Sequence, residues 1–260
     1  MFVFEIEIPG TWLDYVDRDW SWDVEGQLRH LQSQFFEANT ALNLFTQAQS
    51  VHPSFTNSED WEHDSQRRYE IEQALRLQRG GTVSPDQWER IRFEAEVIFK
   101  REKWSNGRTP IELERNIPFI YARAFLYALD AFDKFLGILS KKAGVSPALK
   151  IIHEQMTVDF PHLRGVRNSA QHLEDRARHL GPGGKPLDLK PIENNIVSAP
   201  GGGVLILNCL NGSNYGSTMA DGHYGEVDVS TDSMVKLHKI IISVFNEFKW
   251  KGPRQHAPSA

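Results

Sequence analysis

Segment 117–139 constrains the fold most strongly, because its apolar residues recur at every third or fourth position over about six helical turns. They are Tyr121, Phe125, Ala128, Phe132, Phe135 and Leu139. This spacing places the six side chains on one side of an α-helix. A helix with so continuous an apolar face has to be buried against several other elements. The segment therefore predicts a central core helix.

Most of the remaining chain has helical character before residue 181 and strand character after residue 203. Helical patterns cover 24–49, 59–79, a segment that starts at Pro85, 148–158 and 163–180. A short alternating pattern, from Phe2 to Ile8, predicts an N-terminal strand. The predicted class is therefore mainly α (α+β).

Two turn dipeptides, Asn211-Gly212 and Asp221-Gly222, separate three strand-like segments near the C-terminus. Such dipeptides are typical of tight hairpin turns, so the three segments predict an antiparallel β-meander. An amphipathic pattern that starts at Thr231 predicts a final helix. We expect a helical bundle with this meander and the C-terminal helix appended to it.

Pro- and Gly-rich segments predict the domain boundaries. One break falls at 105–110, and a longer one at 181–203. We expect four regions: an N-terminal strand and helical portion packing on the bundle, the motif-bearing helices, the meander with the C-terminal helix, and a disordered tail. Their bounds are 1–108, 109–182, 203–250 and 251–260.

The composition excludes several classes of protein. A single cysteine, Cys209, rules out an internal disulfide and a cysteine-based zinc site. No segment approaches the roughly 20 apolar residues of a membrane helix, and the N-terminus lacks the features of a signal peptide. We therefore expect a cytoplasmic protein with no membrane partner. The net charge of −5 implies that any contact with RNA is local.

Three tryptophans, Trp12, Trp20 and Trp22, follow the N-terminal strand among several acidic residues. The simpler interpretation is that they pack in the core or in a groove. Stacking on nucleic-acid bases is the alternative. The local negative charge disfavours this alternative.

The densest group of polar functional residues lies at 159–179, where Arg167, Asn168 and His172 are close together. A guanidinium is a bidentate partner for phosphate, and an imidazole takes or gives a proton near neutral pH. From Lys141 to Leu180, seven basic residues stand against four acidic ones. The segment therefore predicts phosphodiester chemistry that needs no metal.

The motif Arg167-Asn168-x-x-x-His172, preceded by the long apolar helix and by Phe160-Pro161-x-Leu163-Arg164, resembles the Arg-x4–6-His motif of the HEPN superfamily. These helical-bundle proteins include RNA-cleaving toxins and defence nucleases. The resemblance covers 117–179. It implies a metal-independent endoribonuclease in toxin activity, defence or stress, with no cofactor, RNA as substrate, and a regulatory or antitoxin protein as a possible partner.

The resemblance assigns catalysis to the motif residues. His172 serves as the general base or acid when the ribose 2′-hydroxyl attacks phosphorus, and Arg167 stabilises the charge on the phosphoryl oxygens. Asn168 positions His172 or binds phosphate. Some HEPN toxins carry a tyrosine two residues after the histidine, which a partner enzyme modifies. Here Glu174 occupies that position, so this form of control is not implied.

Helix geometry separates the two catalytic residues. Arg167 and His172 are five positions apart and differ by about 140° around an ideal helix. Either Arg167 lies just before the regular helix and its side chain folds back, or a second chain completes the site across a two-fold axis. HEPN relatives commonly dimerise through this helix, so the resemblance favours a homodimer.

Further residues are candidates for supporting roles. Glu174 and Asp175 place negative charge beside the phosphate site, which Arg164, Arg176 and Arg178 would offset as substrate-binding residues. On the core helix, Asp130 and Lys134 have the spacing of an i,i+4 ion pair. In the alternative interpretation, Tyr127 or Asp130 faces the motif helix and orients His172.

Two other interpretations of the motif remain. In the first, Arg167 pairs with Glu174 and His172 is buried. The protein is then a non-catalytic HEPN-like module that engages a partner protein through its meander, or that binds a nucleotide. In the second, a metal binds His153, His162, His172 and His179 together with Glu154 and Asp159, but their spacing matches no compact ligand signature. We therefore predict no metal site. The solvent exposure of His172 separates the enzyme from the scaffold.

Overall fold

The computed structural model describes residues 1–50, 58–81, 84–195 and 197–259. The chain is mainly α-helical with short antiparallel sheets, which confirms the predicted class. The helices are α1 (Arg18–Ser50), α2 (Ser58–Gln78), α3 (Pro85–Ser105), α4 (Ile111–Leu139), α5 (Ala148–Asp159), α6 (Leu163–Gln171), α7 (Leu173–Ala177) and α8 (Thr231–Asn246). None of the described helices combines the length and apolar character needed to cross a bilayer.

The strands are short and form four small sheets within the described residues. They are β1 (Ile6–Ile8), β2 (Trp12–Leu13), β3 (Ile192–Glu193), β4 (Ser198–Ala199), β5 (Cys209–Asn211), β6 (Asn214–Thr218), β7 (Tyr224–Asp228), β8 (Trp250–Lys251) and β9 (Gln255–Ala257). The pairs β1–β9, β2–β8 and β3–β4 are antiparallel, and β5, β6 and β7 form the predicted meander. The β3–β4 hairpin lies within 181–203, where the sequence predicts only a linker.

The chain divides into two compact units, and the division differs from the predicted boundary near residue 108. The larger unit contains Met1–Ala48 and Pro118–Ala260, and the smaller unit contains Gln49–Ile117. Helix α1 belongs with the motif-bearing helices because its buried residues, among them Leu31 and Phe35, lie in the same core cluster as those of α4.

Helix α4 is central to the larger unit, as its apolar pattern predicts. Phe125 and Phe132 are completely buried, while Tyr121 and Phe135 pack on the same core at its edge. Full burial of one such side chain contributes about 1.5–3 kcal/mol to folding. The predicted apolar face of α8 is also buried, and α8 packs against α5 and β1. Asp130 is the acidic residue of α4 that shares this burial.

The meander packs directly on α6, the helix that carries the motif. A Cβ atom added at Gly165 of α6 would lie 2.3 Å from the Sδ atom of Met219, so the two elements approach more closely than a side chain allows. The first strand is shorter than the predicted segment 204–210. Ile206 nevertheless exchanges hydrogen bonds with Thr218, which holds the segment beside the sheet.

The prediction of a disordered tail at 251–260 is wrong for residues 251–259. Strands β8 and β9 lie there and pair with β2 and β1. The pairing satisfies the backbone groups of the N-terminal strands, which otherwise lack a neighbour, and it covers Ile6 and Ile8. Glu7 also pairs with Arg254 at 2.8 Å. The partner strand lies at the opposite end of the sequence, so no local pattern predicts it.

The smaller unit is built on a hairpin of α2 and α3 with its own small core of Ile71, Leu75, Ile91, Ala95 and Phe99. Charged side chains of α2 pair with those of α3. Arg67 donates two hydrogen bonds of 2.9 Å to the carboxylate of Glu102, and Arg68 lies 3.1 Å from Glu96. Helix α3 starts as predicted, with the side chain of Gln87 accepting a hydrogen bond from the backbone N–H of Ser84 at 2.9 Å.

Candidate functional site

The motif segment is two helices and not one, because the chain leaves the helical conformation at His172. The sequence predicts a continuous helix over 163–180, but α6 ends at Gln171 and α7 begins at Leu173. His172 has φ −117° and ψ 45°. Its backbone N–H still donates to the carbonyl of Asn168 at 3.0 Å. The His172 side chain is 58% exposed. A buried, structural histidine is therefore excluded.

Arg167 lies inside α6, which excludes the first of the two alternatives, that it precedes the regular helix. Its Nε atom is 2.9 Å from Oδ1 of Asp130, and both side chains are at least 87% buried, with exposures of 13% and 10%. The Nε–H is not aligned for a hydrogen bond, so this contact is an ion pair. The Nη1 atom donates to Oε1 of Gln171 at 2.7 Å. Neither contact engages Nη2.

Asp130 connects the core helix to the motif helix. Its Oδ2 atom is 2.6 Å from Nζ of Lys134, which confirms the predicted i,i+4 pair. Asp130 also faces the motif helix, as the alternative interpretation predicts, but it contacts Arg167 and not His172. A buried carboxylate needs compensating charge, and here two cations supply it. Tyr127 is half exposed on the same helix, and no hydrogen bond between described residues joins it to His172.

The three predicted substrate-binding arginines have different environments. Arg176 is buried and donates to the hydroxyl of Ser169 and to the backbone carbonyl of Leu180, so it braces the turn after α7. Arg178 is exposed, and its Nη2 lies 2.6 Å from Oδ1 of Asp175. Arg164 is exposed on α6. Solvent therefore reaches Arg164 and Arg178, whereas Arg176 is part of the fold.

Carboxylates surround the imidazole of His172. Oε1 of Glu174 is 4.0 Å from Nδ1 of His172. Together with Asp175, these two residues offer three ligand-type atoms that lie within 4.8 Å of one another. The spacing argument considered the carboxylates Glu154 and Asp159 and missed this group, whose sequence signal is the segment His172-Leu-Glu-Asp175. The group is exposed and Asp175 is paired with Arg178. The simplest role for this group is that Glu174 orients the imidazole of His172.

Two tyrosines of the meander are held in the protonated form near neutral pH. Burial raises the pKa of Tyr215 to about 12, and Arg123 partly opposes the rise. The Tyr215 hydroxyl donates to Asn208 at 2.9 Å. Burial, and then the hydrogen bond to Glu226, raise the pKa of Tyr224 above its ordinary value. Neither phenol is therefore suited to act as a base.

The motif residues fall into two neighbouring clusters. We define the arginine cluster as Arg167, Asp130, Lys134 and Gln171, and the histidine cluster as His172, Glu174, Asp175 and Arg178. Gln171 was not predicted, although its i,i+4 spacing to Arg167 is a usable signal. Asn168 is half-buried, and its contact with His172 is the backbone hydrogen bond already described.

No family model matches the chain, and neither a curated protein nor a solved structure is significantly similar to it. The functional argument therefore depends on these two clusters and on the chemistry of their side chains.

Proposed function

We propose that this protein is a metal-independent, HEPN-like endoribonuclease that cleaves RNA by attack of a ribose 2′-hydroxyl on the adjacent phosphorus. The observation that carries the proposal is the solvent exposure of the His172 imidazole. His172 lies where α6 ends, and Arg167 lies in the last turns of that helix. An accessible imidazole and a fixed guanidinium provide proton transfer and charge stabilisation without a metal when both reach the same phosphate.

In this mechanism His172 removes the proton from the 2′-hydroxyl while a water molecule protonates the departing 5′-oxygen, or water takes the first proton and His172 supplies the second. The oxygen–phosphorus bond to the 5′-oxygen breaks as the 2′-oxygen bonds to phosphorus, and a 2′,3′-cyclic phosphate and a 5′-hydroxyl result. Glu174, 4.0 Å from Nδ1, stabilises the imidazolium that forms. Proton transfer of this kind contributes roughly 10²–10⁴-fold to the rate.

Arg167 stabilises the phosphoryl oxygens through Nη2. The contacts of Nε with Asp130 and of Nη1 with Gln171 hold the plane of the guanidinium, so little rotamer entropy is lost when phosphate binds. Arg164 and Arg178 supply further positive charge at the surface. The charge of Asp130 is shared with Lys134, which leaves Arg167 able to interact with an anion.

A homodimer completes the site in this proposal, because Arg167 and His172 belong to separate clusters within one chain. The side of α4 that carries Lys134 also exposes the apolar residues Ile120, Tyr127 and Ile138, which are spaced at helical intervals on that side. Exposed apolar residues on one helix face support association with another chain. Two such faces around a two-fold axis bring the arginine cluster of one protomer to the histidine cluster of its partner.

We place this activity in the cytoplasm, with RNA as the substrate and no cofactor. A role in toxin activity, defence or stress implies a regulatory or antitoxin protein that restrains cleavage.

The test is to incubate purified protein with structured RNA in EDTA and to identify the ends of the products. We expect cyclic phosphate ends, and at least about a hundredfold loss of rate in His172→Ala. His223→Ala is the matched control, because His223 is 59% exposed and its Nδ1 lies 3.3 Å from a carboxylate oxygen of Asp221. Equal loss in both variants, or cleavage that requires added Mg²⁺ or Mn²⁺, contradicts the proposal.

A second candidate is a non-catalytic module that binds a partner protein or a nucleotide. The ion pair of Arg167 with Asp130 favours it, since a guanidinium already neutralised has less charge to offer phosphate. This candidate predicts no cleavage with or without divalent metal, and recovery of a tightly bound partner through the meander.

A further inference from the structure

Two tryptophans stand at an open groove beside the start of α1. Trp12 is 53% exposed and Trp22 is 75% exposed. The groove has a volume of about 480 Å³, and Arg18, Glu25 and Arg29 also line it. An adjoining cavity of about 270 Å³ shares Glu25 and Arg29 with the groove and extends to strand β8. Two large rings left open to solvent beside a cavity of ligand size indicate a binding site.

Tertiary contacts hold the walls of the groove in place. Trp12 lies in β2, opposite Lys251 of β8. A Cβ atom added at Gly252, which has φ +82°, would lie 3.0 Å from the Trp12 ring, so this ring rests against the turn after β8. The carboxylate of Glu25 accepts a hydrogen bond from the backbone N–H of Leu13 at 2.8 Å. The groove is therefore formed before any ligand binds.

Part of the negative charge near the groove is compensated by lysines. The side chain of Asp23 pairs with Lys142, and that of Asp14 lies 3.4 Å from Nζ of Lys251. Asp17 accepts a hydrogen bond from the backbone N–H of Trp20 at 3.0 Å. The local acidity that disfavours base stacking in the sequence is therefore partly offset in the fold.

The remaining lining is balanced, with the guanidiniums of Arg18 and Arg29 against the carboxylates of Asp19 and Glu25. A balanced lining favours neither a bare cation nor a bare anion. It suits a flat, uncharged ring whose edge carries both hydrogen-bond donors and acceptors. Trp and Arg are also the side chains on which such rings stack. A nucleobase has all of these properties.

We propose that this groove holds one base of a single-stranded nucleic acid, stacked on Trp22 or Trp12, with Arg18 or Arg29 on the adjacent phosphate. The inference rests on the proposed function only in taking RNA as the natural ligand. The groove is a binding site outside the arginine and histidine clusters, and no bond is made or broken there. It positions a strand that the clusters cleave elsewhere.

The probe is a short single-stranded oligodeoxynucleotide, which lacks the 2′-hydroxyl and is not cleaved by the proposed mechanism. Its binding to the full chain is measured by fluorescence anisotropy at fixed salt. We expect Trp22→Ala to raise the Kd on the order of tenfold, as loss of one stacking contact does. The matched control is Trp61→Ala, because Trp61 is 62% exposed and lies outside the groove. It leaves the Kd unchanged.

An abasic oligonucleotide of equal length separates the base from the phosphates. We expect it to bind about as weakly to the parent protein as the normal probe binds to Trp22→Ala. Equal binding of the abasic and normal probes overturns the proposal, as does equal Kd for Trp22→Ala and Trp61→Ala. Trp22→Phe, which keeps a ring, retains most of the affinity if stacking is the cause. A proline-rich peptide that binds at Trp22 while the oligonucleotide does not also overturns it.

These outcomes are independent of the nuclease assay. Binding that depends on Trp22 without RNA cleavage supports the groove and contradicts the nuclease. The opposite result is RNA cleavage that His172→Ala abolishes, together with oligonucleotide binding that Trp22→Ala leaves unchanged. This result supports the nuclease proposal and contradicts the proposed binding groove.

Discussion

Nε of Arg167 lies 2.9 Å from Oδ1 of Asp130, and this ion pair joins the motif helix to the core helix. The contact gives Arg167 two functions that compete. It fixes the guanidinium for phosphate in the proposed mechanism, and it also anchors α6 on α4 through a charge pair that is almost completely enclosed. Variants of Arg167 therefore need a measurement of stability beside any measurement of activity.

We expect Arg167→Ala to lower the free energy of unfolding by roughly 2–3 kcal/mol, because it leaves Asp130 with the exposed Lys134 as its remaining partner. Asp130→Ala has a similar effect, and the double variant loses less than the sum of the two. Urea denaturation measures all three. Lys134→Ala is the control and costs less than about 1 kcal/mol, since that side chain is mostly exposed. Additive losses contradict a direct pair.

Arg167→Lys separates activity from stability. The ammonium preserves the charge opposite Asp130 but lacks the planar fork that reaches Gln171 and phosphate together. We expect stability within about 1 kcal/mol of the parent and a loss of RNA cleavage of about 10²-fold. Initial cleavage rates and urea denaturation on the same preparation provide the comparison. Full activity in this variant contradicts the role of the fork.

Gly165 tests the packing of the meander on the motif helix. We expect Gly165→Ala to destabilise the protein by about 1 kcal/mol, because the clash with Met219 outweighs the gain in helix propensity. In a Met219→Ala background the same substitution becomes neutral or stabilising. Gly26→Ala is the matched control in α1, where the nearest atom to the added Cβ is 3.9 Å away. It stabilises by about 0.5–1 kcal/mol. Thermal denaturation shows whether each substitution stabilises or destabilises the protein.

The C-terminal strands predict a sensitivity to truncation. Deletion of the residues after Lys251 removes β9 and leaves the backbone of β1 without its neighbour. We expect a loss of roughly 2–4 kcal/mol from the lost hydrogen bonds and from exposure of Ile6 and Ile8, together with self-association through the open edge. Arg254→Ala, which removes a surface ion pair, costs less than about 1 kcal/mol. A truncated protein with unchanged stability contradicts the pairing.

The raised pKa of Tyr215 predicts that the folded protein loses stability in alkali. Its folded pKa of about 12 lies above the ordinary value of 10, so the folded state holds the phenolic proton more tightly than the unfolded state does. The resulting stability is present in full below pH 10 and declines as the pH rises toward 12, by up to about 1.4 kcal/mol per pH unit. Urea denaturation between pH 9 and about pH 12 measures the slope. Tyr215→Phe reduces the slope without abolishing it, because the raised pKa of Tyr224 acts over the same pH range. An unchanged slope contradicts the assignment.

The sequence by itself determined the buried faces of α4 and α8, the meander and its two glycine turns. These features follow from periodicity and turn chemistry within a few residues, so a local pattern is sufficient to predict them. The same local reasoning identified Arg167, His172 and the Asp130–Lys134 pair as residues of interest, because the spacing within each segment is visible in the chain.

Tertiary structure alone decided which partner Arg167 has, where the motif helix breaks, and that the C-terminal residues return to the N-terminal strands. The first and the last of these depend on groups far apart in sequence: Asp130 of another helix for Arg167, and Gln255–Ala257 for Ile6–Ile8. Burial makes such distant contacts strong, since an unpaired charge or backbone group inside the fold is costly. The groove between Trp12 and Trp22 arises in the same way, because its wall at β8 and the turn after it belongs to a segment whose local sequence carries little structural signal.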